Sequence, residues 1–226
     1  MASSIFTPAT LKFLKELKKN NNRDWFNKHK GRYELAREEL KNLQAALLNE
    51  MSHQDEIAQV KLYRIYRDVR FSPNKDPYKT HFSGYIQRAT KWKRGGYYFQ
   101  ISPDGNSMAG GGFWKPEKED LLRIRQEIAN DDKPLRKIIN AKAFKNTFTQ
   151  LDGEQLKTAP RGFDKAHPAV DLLRYKQFLI SRKFTDKEVL DGNFVKELCK
   201  VFKKMRPFFD YMSDVLTTDE NGVPID

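Results

Sequence analysis

The sequence predicts an α+β fold in which a mostly antiparallel sheet in the middle of the chain packs against N-terminal and C-terminal helices. Apolar residues recur at the three-to-four spacing of amphipathic helices in the first fifty residues and again near the C terminus. Between residues 62 and 114 they alternate at a spacing of two, which is typical of strands. The stretches SPNKDP, KRGG and PDGN interrupt this alternation as hairpin turns would.

The N-terminal region has clear helix punctuation. Thr7 is a suitable N-cap, Pro8 suits the first helical position, and leucines follow on one face. After three asparagines, a second helical pattern runs from about residue 24 to residue 51, and Gly31 is a point at which it can divide in two.

The later elements follow from the same patterns. We predict strands near residues 62–71, 81–88, 97–102 and 106–114. Residues 144–167 show no clear period. Helices are predicted at 116–130, just after Pro134, and over 186–215 with an interruption near Pro207, and residues 172–184 are read as helix running into strand.

No repeat, linker or shift in composition marks a domain boundary, so we expect one domain over residues 1–226. Its parts are a helical region (7–52), the sheet (61–114), a mixed helical region (116–218) and a short polar tail (219–226).

Composition favours a soluble protein. No apolar run approaches the ~20 residues that a membrane-spanning helix needs, and the N-terminal segment lacks the order of a secretory signal, with a basic end before an apolar core. The single Cys199 cannot form an internal disulfide and has the apolar neighbours of a buried thiol. We therefore expect a cytoplasmic location and no membrane partner.

The positive charge is concentrated in one segment. The chain has a net charge of +12, and residues 61–100 hold ten Lys and Arg against two Asp, which is +8 of that total. We expect the anion-attracting surface to belong to this segment, because net charge attracts polyanions without specifying a fold or a reaction.

The stretch RIYRDVRFSPNKDPYKTH, residues 64–81, combines strand-like alternation with charge. Arg67 falls on the apolar face, so either a β-bulge re-aims it or its guanidinium is buried and paired. Strict alternation divides the other residues into Tyr63, Ile65, Val69 and Phe71 on one face and Arg64, Tyr66, Asp68 and Arg70 on the other.

Arginine presents a planar fork that grips carboxylate or phosphate with two hydrogen bonds, so several arginines on one strand suit an oxyanion. The turn fixed by Pro73 and Pro77 can fold further donors over the same ligand. The alternative is an internal ion-pair network around Asp68. The predicted anion-binding residues are Arg64, Arg67, Asp68, Arg70, Lys75, Tyr78, Lys79 and His81.

This stretch resembles the RxxRDxRFxxxKxPY signature of a widespread bacterial family known as domain of unknown function 2461. The resemblance implies a single α+β domain that covers nearly the whole chain. It implies no particular reaction, but it favours a family-wide role for the arginines. The fixed positions are occupied by Arg64, Arg67, Asp68, Arg70, Phe71, Lys75, Pro77 and Tyr78.

Other motifs are weaker. Gly110 to Gly112 lack the GK[ST] ending of a phosphate loop, so close backbone packing is the preferred interpretation, with a place beside the arginines as the alternative. The four histidines show no zinc-ligand spacing, and we predict no metal site, although a carboxylate-bound magnesium ion stays open. Arg161, His167, Arg174 and Lys176 either complete a cationic pocket or lie on the surface.

The leading hypothesis is a protein that binds a small phosphorylated or carboxylated ligand. If it is an enzyme, His81 and Asp68 are the acid–base candidates and the arginines stabilise developing negative charge; no cofactor is indicated. A second hypothesis is a nucleic-acid binding module in which Trp92, Tyr97 or Tyr98 stacks on bases. The third is a structural or interaction protein in which the arginines form an internal ion-pair network.

Overall fold

The computed structural model of the chain describes residues 4–219 and 222–225. The N-terminal region forms three helices, α1 (Pro8–Lys19), α2 (Arg23–Lys28) and α3 (Lys30–Ser52). Thr7 and Pro8 begin α1 as predicted. The second predicted helix divides at His29, two residues before Gly31. The Asn22 side chain starts α2 by accepting a hydrogen bond from the Trp25 backbone N–H (2.9 Å).

The sheet confirms most of the predicted strands. Its five antiparallel strands lie in sequence order. Three predicted strands agree with the structure to within one residue at each end, and the strand expected within residues 172–184 is also present. The strands are β1 (Ile57–Leu62), β2 (Phe82–Arg88), β3 (Gly96–Ile101), β4 (Ser107–Phe113) and β5 (Phe178–Phe184).

The strand predicted at residues 62–71 is wrong. The first strand ends at Leu62, and the arginine-rich stretch that follows forms a long loop. Alternation of apolar residues is the same in a strand and in an extended loop arm, so it could not distinguish the two. Proline also limits pairing here, because Pro73 and Pro77 have no backbone N–H to donate to a ladder.

Of the remaining described helices, four lie between β4 and β5 and two follow β5. One of them, α6, lies in the stretch whose period was unclear, and Pro207 lies inside α9 without ending it, contrary to the predicted interruption. Large apolar residues on both sides of Pro207 are buried, and this packing stabilises the helix despite the missing hydrogen bond. The helices are α4 (Lys118–Asn130), α5 (Lys133–Asn140), α6 (Lys142–Phe148), α7 (Val170–Leu173), α8 (Asp186–Val189) and α9 (Phe194–Thr217).

The described residues fall into two compact units, and the chain passes between them several times. Unit 1 contains residues 4–87, 98–109 and 183–200, and unit 2 contains residues 88–97, 110–182, 201–219 and 222–225. The expectation of a single domain stays a prediction. Of the predicted polar tail, residues 220, 221 and 226 lie outside the described part of the chain. Among the helices described, none combines the length and apolarity needed to cross a bilayer.

In unit 1, the two faces of the sheet differ in chemistry, and both β2 and β3 contribute to each face. One face is apolar and buried, with Phe82 and Ile86 on β2 and Phe99 and Ile101 on β3. Ser83, Tyr85 and Gln87 alternate with these residues on β2, as Tyr98 and Gln100 do on β3, so they project from the other face. We call this second face the tyrosine face.

In unit 2, one cation of the basic segment belongs to the core. The Arg88 side chain is buried, and its Nη2 donates to Asp210 Oδ1 (2.6 Å). Its Nη1 donates to the Arg94 carbonyl oxygen (3.2 Å), and the guanidinium lies over the Phe209 ring. Arg88 therefore stabilises unit 2, and its charge is matched by Asp210.

Two of the three glycines at residues 110–112 have a packing cause. Gly112 has a φ of +130°, and a Cβ at this position would lie 2.2 Å from the Phe178 carbonyl oxygen on the neighbouring strand. At Gly111, a Cβ would meet the Phe209 ring at 2.6 Å. Gly112 therefore allows close approach of the neighbouring strand, and Gly111 allows close approach of an aromatic ring. Close packing was the preferred interpretation of the sequence.

We expect Gly112→Ala to lower the free energy of unfolding by about 1–3 kcal/mol from backbone strain alone, with the steric clash adding to this. Gly31→Ala is the matched control. Gly31 lies in α3 with nothing within 4 Å of its added Cβ, so alanine should stabilise the protein by about 0.5–1 kcal/mol. Urea unfolding followed by circular dichroism measures both changes, and an unchanged midpoint for Gly112→Ala would contradict the packing role.

Candidate anion-binding site

Residues 63–81, which we call the arginine loop, connect β1 to β2 within unit 1. Its two arms pair like the start of a hairpin. The Arg67 N–H donates to the Pro77 carbonyl oxygen (2.9 Å), and the Lys79 N–H donates to the Ile65 carbonyl oxygen (2.7 Å). These bonds place Tyr66 opposite Tyr78 in an antiparallel bridge.

The second arm is held by the N-terminal helices. Tyr78 is 4% exposed, and its ring stacks on Phe26 with centroids 4.0 Å apart and planes 12° apart. The Asn21 side chain accepts a hydrogen bond from the Tyr78 N–H (3.1 Å) and donates one to the Tyr78 carbonyl oxygen (2.9 Å). Tyr78, predicted as a ligand-binding residue, is therefore an anchor of the loop.

A bulge at the base of the loop brings cations together. The Tyr63 N–H donates to the Ser83 carbonyl oxygen (2.9 Å), while Ile65 pairs with Lys79. One residue separates these pairings on the first arm, but three residues, 80–82, separate them on the second. The longer arm bulges at Thr80 and His81, opposite Arg64. The β-bulge that was one of the two alternatives for Arg67 lies here instead.

Arg64, Lys79 and His81, which we call the cation group, surround the base of the loop. Burial and the neighbouring Arg64 charge lower the pKa of the Lys79 ammonium, and burial and the Lys79 charge lower the pKa of His81 below its usual 6.5. Lys79 Nζ lies 5.2 Å from the centroid of the Tyr63 ring. Within residues 4–219 and 222–225, no acidic side chain forms an ion pair with any member of this group.

The tip of the loop differs, because its arginines and Lys75 have partners within the loop. Arg70 donates to Asp68 through Nε (3.0 Å) and Nη2 (2.7 Å), which lowers the pKa of the Asp68 carboxyl. Half-buried Arg67 donates to Ser72 Oγ (3.3 Å), and Lys75 Nζ donates to the Val69 carbonyl oxygen (3.1 Å). Asp68 therefore pairs with a neighbour in sequence.

The predicted division of residues 63–71 into two faces fails at both ends. Phe71, expected to face inward, is 94% exposed, and only Ile65 of its predicted face is buried. Tyr63, predicted on the same face as Phe71, is also exposed, and it lies near the tyrosine face of the sheet. The phenols of Tyr85 and Tyr98 have pKa values raised mainly by burial and also by the proximity of Tyr63.

The site candidates from later in the chain lie in unit 2, and most have local partners there. Arg174 Nε donates to the Leu156 carbonyl oxygen (2.7 Å). His167 Nδ1 accepts from the Ala169 N–H (3.1 Å). Tyr97 is fully buried, so of the three rings named as alternatives in the nucleic-acid hypothesis it is not accessible to a base. Among the described residues, His, Cys, Asp and Glu side chains form no group of three or more suited to a metal ion.

One comparison with known proteins identifies the family. The family model described as "Conserved hypothetical protein (DUF2461)" matches residues 9–211. The chain belongs to this family. The match confirms the resemblance noted in the sequence and covers nearly all of both units. No match was found among curated proteins or among solved structures.

Sequence reasoning missed three residues that hold the arginine loop or lie on the sheet face beside it. Asn21 was treated only as part of a polar segment between helices, and Tyr63 and Tyr85 were not considered as site residues. For Tyr85 a signal was present, because it alternates with the buried residues of β2 and so had to face away from the core. For Asn21 no local signal exists, since its partner lies 57 residues away.

We expect Asn21→Ala to lower the free energy of unfolding by about 1–2 kcal/mol, because two partly buried hydrogen bonds to Tyr78 are lost. Amide exchange of Lys79 should also become faster as the second arm loosens. Asn27→Ala is the control, since Asn27 is exposed on the nearby helix α2. Equal urea midpoints for the two variants would contradict the anchoring role of Asn21.

Proposed function

We propose that this protein binds a small phosphorylated or carboxylated ligand at the cation group. The supporting observation is the contrast within the arginine loop. At the tip, Arg70 is neutralised by Asp68. At the base, Arg64, Lys79 and His81 lie close together, and the described part of the chain supplies them with no acidic partner. A bound anion would supply the missing charge.

The electrostatics of the base favour an anion. Burial lowers the pKa values of Lys79 and His81, and the like charge beside each group lowers its pKa further, because both disfavour the protonated form. The clamp from Asn21 and Phe26 prevents the second arm from relaxing this repulsion. An anion reverses it, because each proton then has an opposite charge beside it.

The three side chains at the base of the loop offer an anion three different kinds of hydrogen-bond donor. Arg64 offers a planar fork that can bind two oxygens of a phosphate or carboxylate. Lys79 offers a compact ammonium whose position is fixed over the Tyr63 ring. His81 is mainly neutral at pH 7, since its pKa lies below 6.5, and it can take up a proton when an anion binds. The same property would let it act as a general base in a reaction.

Two charge-removing substitutions at the base test the proposal against two at the tip. Arg64→Gln and Lys79→Gln should each weaken phosphate binding at least tenfold, because a hydrogen bond between charged partners is worth about 1.5–3 kcal/mol. Arg70→Gln and Lys75→Gln are the matched controls and should change the affinity less than twofold. Isothermal titration calorimetry at fixed ionic strength measures all four variants.

Stability of the ligand-free protein distinguishes binding from an internal ion-pair network. Lys79→Gln should raise the urea midpoint slightly, since it removes a repelled charge while weakening binding. A lower midpoint would favour the network instead. Equal weakening by all four variants, with affinity for oligonucleotides that falls steeply with salt, would favour nucleic-acid binding.

Sulfate binding should strengthen as the pH falls from 8 to 6. Sulfate keeps its charge over this range, so the change reports the protein. His81 has a lowered pKa in the free protein, and the bound anion raises it, so binding takes up a proton between the two pKa values. In His81→Gln this dependence should flatten. If the full pH dependence persists in that variant, another group is responsible and His81 lies outside the site.

A further inference from the structure

The tyrosine face continues from the cation group. Tyr63 joins the two, because Lys79 Nζ lies over its ring and its phenol influences both Tyr85 and Tyr98. Tyr63 is 39% exposed, and Tyr85 and Tyr98 are half-buried. The three rings therefore lie on one side of unit 1, next to the place proposed for the anion.

Resting on the proposed function, we infer that the ligand carries an aromatic heterocycle as well as its anionic group, as a nucleoside monophosphate does. The anion would lie at the cation group, and the heterocycle would lie against the tyrosine face. Neighbouring strands are about 4.8 Å apart, so a face that runs from the end of β1 across β2 and β3 is about 10 Å wide. A lone inorganic anion would leave this face unused.

The side chains of the tyrosine face have the chemistry that a heterocycle needs. Aromatic rings provide stacking surfaces for a planar base. The phenols of Tyr85 and Tyr98 carry their protons at pH 7, and the Tyr85 hydroxyl can donate a hydrogen bond to the ligand. The Tyr98 hydroxyl donates to Gln100 Oε1 (3.1 Å) and also bonds with Ser83.

Amide side chains extend the same face. Gln59 Nε2 donates to Gln87 Oε1 (2.7 Å), which links β1 to β2 beside Tyr85. Gln100 Nε2 donates to the Asn106 carbonyl oxygen (3.1 Å), which fixes the orientation of that amide. Oriented amides present both donors and acceptors, and these match the edges of a heterocycle. An aliphatic phosphate or carboxylate would gain little from them.

The test compares orthophosphate, ribose 5-phosphate and AMP by calorimetry at one ionic strength. We expect AMP to bind at least tenfold more tightly than either of the other two. Tyr85→Leu should remove this advantage while leaving the orthophosphate affinity within about twofold, because Tyr85 belongs to the tyrosine face and not to the cation group. Trp92→Leu is the matched control, because Trp92 is a partly exposed aromatic residue outside the tyrosine face, and it should leave both affinities unchanged.

Each outcome separates this inference from the function on which it rests. Equal affinities for the three ligands would overturn the heterocycle while supporting the anion site. Loss of the AMP advantage in Trp92→Leu but not in Tyr85→Leu would overturn the tyrosine face as the place where the base binds. If none of the three binds, the anion site itself is contradicted. Because orthophosphate is measured on every variant, a folding defect in Tyr85→Leu would appear as lost phosphate affinity, and Tyr98→Phe then provides the milder substitution, which should weaken AMP alone.

Discussion

The position of the arginine loop depends on the packing of Tyr78 against Phe26. This stack, with the two hydrogen bonds from Asn21, fixes the second arm of the loop to the N-terminal helices. Because the first arm pairs with the second, Ile65 is buried and Arg64 is placed opposite the bulge. The arrangement of charges at the base thus follows from aromatic packing and backbone pairing, without any attraction between the charged groups.

The charged groups of the loop divide into a tip, where Arg70 pairs with Asp68, and a base, where Arg64, Lys79 and His81 have no acidic partner among the described residues. The Asp68–Arg70 pair is exposed, so it contributes little to stability, and it stiffens the tip by bonding neighbours in sequence. Lys79 and His81 are more buried and have only cations nearby as charged neighbours that shift their pKa values. A protein gains no stability from such a group, and its place on a clamped arm of the loop supports the proposed binding role.

The sequence predicted the sheet well where a turn divides two alternating stretches, as between β3 and β4. There the apolar alternation and the turn residues both indicate the same strand ends. It failed at residues 62–71, where alternation continues beyond the end of β1. Pairing there depends on Asn21 and Phe26, whose contacts with Tyr78 are distant in sequence. The sequence predicted all the anion-binding residues as one set, from their charge. Only the bulge at Thr80 and His81 divides this predicted set between the tip and the base of the arginine loop. Exposure of Phe71 likewise depends on the loop path and not on local pattern.

A crystal soaked in selenate tests the central claim most directly, since selenium gives an anomalous signal and the anion resembles phosphate in shape and charge. We predict an anomalous peak within hydrogen-bonding distance of Lys79 Nζ and the Arg64 guanidinium, beside the His81 ring. A peak at Arg70 or Lys75 on the tip, with none at the base, would contradict the division of the loop into satisfied and available charges. Absence of a peak at either place, at selenate concentrations that stabilise the protein in solution, would place the anion site elsewhere in the chain.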